Sequence, residues 1–157
     1  MTITAKYLEE RGYTLRSGGA TGSDFCFEIG SQQPDIYVVN DKHIPKSKHK
    51  GIVPDLEKYR HVVKQCCLHY NKLRDQYARD LHTRNICQVI GHDPDNIIKS
   101  DFLICYTDHG EYVGGTTTAI RCAERFDIPI FNFGKYERLP DEEIKIKLKE
   151  FLQENMK

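Results

Sequence analysis

Residues 15 to 30, LRSGGATGSDFCFEIG, set Gly18, Gly19 and Gly22 beside the carboxylates of Asp24 and Glu28. Glycine lets the main chain approach a ligand closely, and the free N–H groups at a helix start, aided by the helix dipole, favour an anion. A second cluster, Gly114, Gly115 and Thr116, with Thr117 next to it, repeats the arrangement. Neither cluster has the lysine of a Walker turn, and neither gives GxGxxG. Alone, each reads equally well as a tight turn. Together, on one short chain, they point to a phosphate or nucleotide site.

Asp24 and Glu28 are four residues apart, so on a helix leaving the first turn they share a face. Carboxylates there suit ribose hydroxyls, or an oxocarbenium-like centre if an N-glycosidic bond is broken. The alternative is that both are simply helix-start charges favoured by the dipole. Arg84 and Asn85 suit a phosphate and a base edge, with Gln88 one turn on, or else a helix end and a cap.

The elements that must position these residues are legible in outline. Residues 4 to 11 are good helix formers stopped at Gly12. A short strand in YTLRS leads into the first turn. A helix over SDFCFEIGSQ then places Phe25, Ile29 and Cys26 inward. DIYVVN is a strand, and DKHIPKSKHKGIVP, with four lysines, two histidines and two prolines, is a loop: a lid, a basic patch or a plain solvated segment. From about 54 to 90 apolar residues recur by threes and fours, as in one long amphipathic helix or two in line. DFLICYT reads as a parallel strand buried on both faces, GGTTTAIRCAERFD as helical, IPIFNF as another buried strand, and the charged tail as a closing helix.

Lysine plus arginine equals aspartate plus glutamate, 23 each. No global field draws the chain to nucleic acid or membrane, so an anion site must be local. With 157 residues, 39% of them hydrophobic, one domain is expected over the whole chain. The six cysteines form no CxxC pair and the seven histidines form neither HxH nor HExxH, so no metal and no resident cofactor is expected. A cytoplasmic protein with reduced thiols follows from the lack of an export-type apolar segment. Tyr59, Cys66, Tyr70 and Tyr77 make a helical stripe, a core or a homodimer contact. The basic loop lacks interleaved aromatics, which counts against a single-strand platform.

The ordered set LRSGGATGSDFCFEIG, RNICQVIG, DFLICYT and GGTTTAIRCAERFDIPIFN resembles small phage and bacterial DprA-like proteins of the SLOG superfamily, similar in fold to the lonely-guy phosphoribohydrolases. The resemblance covers about residues 7 to 134. It implies a single Rossmann-like domain, a mostly parallel sheet flanked by helices, with both glycine turns facing one pocket. Carried over, Arg16, Ser17, Gly18, Gly19, Gly22, Asp24, Arg84, Asn85, Gln88, Gly114, Gly115, Thr116 and Thr117 would bind ligand. Glu28 and Asp24 would be catalytic if the protein is a nucleotide N-glycosidase. Family members begin with a further strand that is not seen ahead of the first helix here, so one wall of the usual pocket is either missing or supplied by a partner subunit. The activity implied is binding of a nucleotide, including a host signalling nucleotide sequestered in the host cytoplasm by a phage protein; the alternatives are phosphoribohydrolysis and single-stranded DNA binding.

Overall fold

The computed structural model describes residues 1 to 93 and 95 to 157. It is a mixed α/β structure whose strand pairs are all parallel, with no strand longer than three residues among those described.

α1 (Thr2–Glu9) ends before Gly12, whose φ of 85° lets the chain reverse into β1 (Arg16–Ser17). The first glycine turn follows, then α2 (Ser23–Glu28). This helix buries Phe27 and Glu28, whereas Ile29, expected inside, is exposed. The helix closes at Glu28, so Ile29 falls outside the face that packs.

β2 (Asp35–Tyr37) pairs with β1 and, on its other side, with β3 (Gly51–Ile52). The basic segment is therefore not wholly irregular: its end adds a strand to the sheet. The helical stretch expected at 54 to 90 is interrupted. A 3-10 turn (Leu56–Tyr59) runs into α3 (Arg60–Cys66), and α4 (Gln76–Ile90) starts afresh. Cys67 turns to extended backbone, and Asp75 recaps the chain by accepting from the Ala78 N–H at 2.8 Å.

β4 (Leu103–Cys105) pairs with β5 (Ile130–Asn132) through α5 (Thr116–Arg125), and α6 (Asp141–Asn155) follows. Where one sheet was expected there are two, ordered β1-β2-β3 and β4-β5. Leu103 and Ile104 are accordingly half-buried instead of enclosed on both faces. The largest core lies where α3, α4 and α5 meet, with Tyr37, Tyr59, Val63, Ile86 and Cys122 at its centre. Tyr59, Cys66 and Tyr70 of the stripe are buried there, and Tyr77 is exposed. Three of its four members are thus core of this chain and not free surface for a second copy. No helix is long and apolar enough to cross a membrane among the described residues.

Candidate functional site

A cavity of about 1090 Å³ opens between β1 and β4. Its wall is lined by Arg16 and Ser17 from β1, Gly22 and Asp24 from the first turn and α2, Arg84, Asn85 and Gln88 from α4, and Gly115 and Thr116 from the second turn. Residues 100 to 106, on and around β4, form the opposite side. The two glycine turns, nearly a hundred residues apart in sequence, therefore face the same space. Of the residues singled out from the sequence, Gly18, Gly19, Glu28, Gly114 and Thr117 are not on this wall.

The first turn is held by the chain's own carboxylates. Asp24 Oδ2 accepts from the N–H groups of Gly18 at 3.2 Å and Ala20 at 3.3 Å. Glu28 Oε1 accepts from the Ser17 hydroxyl at 2.5 Å and the Gly19 N–H at 2.9 Å, and its Oε2 accepts from the Ser47 hydroxyl at 2.5 Å. Glu28 is fully buried. A short polar turn between a strand and a six-residue helix has too few internal donors and acceptors to satisfy itself, and these two side chains close the deficit. Gly19 and Gly22, at φ 70° and 88°, make the geometry possible.

Of these two carboxylates, Asp24 is the one on the cavity wall. Burial raises its pKa, and the opposing pull of the Arg84 guanidinium and of the two N–H groups does not cancel that effect. Arg84, in the middle of α4 and not at its end, is buried; its Nη1 donates to the carbonyl oxygens of Gly18 and of Tyr37, the latter at 3.2 Å. Its Nε has no hydrogen-bond partner among the described residues. Asn85 Nδ2 donates to the Gly115 carbonyl at 2.8 Å, so adjacent residues of α4 grip one turn each. At the second turn Gly115 caps α5 with no side-chain acceptor on its first N–H groups, and Thr116 stands at the helix start. Unlike the first turn, this one has its donors unclaimed by a carboxylate.

The segment from His43 to His49 lies over the first turn. His43 Nε2 is 3.3 Å from the Gly19 carbonyl and His49 Nε2 is 3.2 Å from that of Glu28. Together with Ser47 they fasten the basic loop to the glycine turn. Spacing alone could not reveal this contact, although a carboxylate embedded in FCFEI was a sign that Glu28 would be enclosed. Reading by spacing also passed over Asp108, His109 and Glu137, whose ligand atoms lie within 4.8 Å of one another at the surface. His109 Nδ1 pairs there with Glu137, which accounts for their proximity. No protein-family model, no curated protein and no solved structure matches the chain.

Proposed function

We propose that the protein binds a nucleotide or nucleotide-derived ligand at the rim of this cavity, in a Rossmann-like arrangement of the SLOG kind. The observation that carries the reading is the convergence on one wall of an unclaimed helix start, Gly115–Thr116, with the Arg84 side chain. A phosphate oxygen is the natural acceptor for free helix-start N–H groups, and the arginine charge beside them favours an anion. Asp24, facing the same space, suits ribose hydroxyls, with Asn85 and Gln88 beside it. Glu28 holds the turn and does not touch the ligand.

The test is denaturation of freshly purified protein and mass spectrometry of the released small molecules, followed by calorimetric titration with nucleoside mono-, di- and cyclic phosphates. Micromolar binding of one class, lost by at least tenfold in Thr116→Glu, is the expected result. Absence of any nucleotide, bound or titratable below a millimolar, would overturn the reading.

A second reading, N-glycosidic cleavage, is favoured by one feature: the raised pKa of Asp24 at the cavity wall, a pattern common at catalytic carboxyls. Chromatography for free base after incubation with nucleoside monophosphates separates it from binding alone. Turnover unchanged in Asp24→Asn would dismiss it.

A further inference from the structure

β1 and β4 each have one paired and one bare edge. The Asp35 N–H donates to the Leu15 carbonyl and the Leu103 N–H to that of Pro129, so Leu15 and Leu103 turn their main-chain groups towards β2 and β5. Main-chain groups point to alternate sides along a strand, so Arg16 and Ile104 turn theirs the other way. The registers Arg16↔Asp35 and Ile104↔Phe131 leave those groups out of both ladders, and among the described residues they have no main-chain partner elsewhere.

Both bare edges face the same cavity, because consecutive residues, 13 to 17 and 100 to 106, line it. Side chains alternate between faces, so an unbroken run on a wall means that the backbone edge itself is presented. The two strands also run the same way. Their beginnings meet where the Tyr13 and Phe102 rings lie 5.5 Å apart, and the turns after them are joined through the neighbouring residues Arg84 and Asn85. The space between is about 1090 Å³. A five-residue strand, with spacing of about 4.8 Å, sheet thickness of about 10 Å and length of about 17 Å, needs on the order of 800 Å³.

We propose that the cleft between β1 and β4 receives an extended apolar segment of another polypeptide as an added β-strand, which joins the two sheets into one. Only an extended backbone satisfies two facing edges at once. Phe27, Val89 and Ala119 line the slot and call for β-branched side chains against them. A second copy of this chain is a poor source, since its own apolar strands are already paired. The proposal rests on the two edges and not on the nucleotide reading: an inserted strand leaves Asp24, Arg84 and Thr116 at its end, where ligands of parallel sheets bind.

The experiment adds to the full chain a nine-residue peptide, with a Val-Ile-Val-Ile-Val centre between lysine pairs, and follows amide hydrogen exchange and the thermal midpoint. Exchange at Arg16 and Ile104 is expected to be fast in the free protein and slowed at least tenfold by the peptide, with a rise in the midpoint. The same peptide with proline at its centre lacks the required N–H and should do neither. Slow exchange at both positions without peptide, no change on adding it, or equal effects of the proline version would each overturn the proposal. Because no nucleotide is present, the outcome is distinguishable from that of the ligand titration.

Discussion

Arg84 Nη1 donates to the main-chain oxygen of Gly18, so the charge on α4 is fastened to the backbone of the first glycine turn. A Cβ added at Gly18 would stand inside the Arg84 guanidinium and within 2.5 Å of Gln88 Nε2. Arg84→Lys, which keeps the charge and loses the fork, is expected to cost roughly 2 kcal/mol in urea denaturation, the scale of a lost charged hydrogen bond. Gly18→Ala should cost a similar amount by expelling the same side chain. In the double variant the two losses should not add, and a fully additive cycle would show the contact to be energetically idle.

Asp24 supplies a pH signature. Its carboxyl is held above its ordinary value by burial, so between the unfolded pKa near 3.9 and the raised folded value the native state holds more protons than the unfolded chain. Stability therefore falls as pH rises through that window and stays reduced above it. Asp24→Asn removes the effect while keeping one acceptor for the turn. The difference in unfolding free energy, wild type minus variant, should decline from pH 3.5 to pH 7; a rise over that range would reverse the assignment.

His82 acts in the opposite sense. Burial lowers its pKa, and Nδ1 lies 2.6 Å from the Thr118 hydroxyl between α4 and α5. The unfolded chain takes up the proton first as pH falls below about 6.5, so the stabilisation from the neutral ring is complete above that value and is lost as pH falls through the lower folded pKa. His82→Gln should flatten the slope of stability between pH 5 and 7. NMR titration of the ring gives the folded value directly, and a midpoint above 6.5 would contradict the burial.

The thiols offer a check on packing. Cys26 is half-buried and the other five cysteines are buried. Burial pushes Cys87 and Cys105 up to about 12, so neither offers thiolate at neutral pH. A colorimetric thiol reagent should titrate one group readily in the native protein and six after denaturation. Several fast thiols would mean that the α3–α4–α5 core is looser than its contacts indicate.

How much could be read in advance differs between elements. The apolar spacing from 54 to 90 marks Tyr59, Val63, Cys66 and Tyr70 for burial, because the periodicity records which side faces the core, although Tyr77 on the same spacing is exposed. The break between Cys67 and Asp75 depends on how α3 and α4 both reach α5, a tertiary requirement that local spacing does not carry. Asp75 itself was a readable cap. The common cavity of the two turns followed only from treating them as a pair. The division of the sheet had no local signal at all, since YTLRS and DFLICYT read as strands whether or not they pair with each other. Ile29 and Phe27 exchanged places because a helix of six residues has too little periodicity to fix its phase.

Glu28 anchors both Gly19 and Ser47, so the amide of the first turn and the position of the basic loop are not independent variables. Loosening the loop takes the Ser47 hydroxyl from a buried carboxylate that also serves the turn, so loop and turn are expected to open as one cooperative unit. Ser47→Ala, remote from the cavity wall, should therefore speed amide exchange at Gly19 as well as in the loop, while ligand affinity stays as it was.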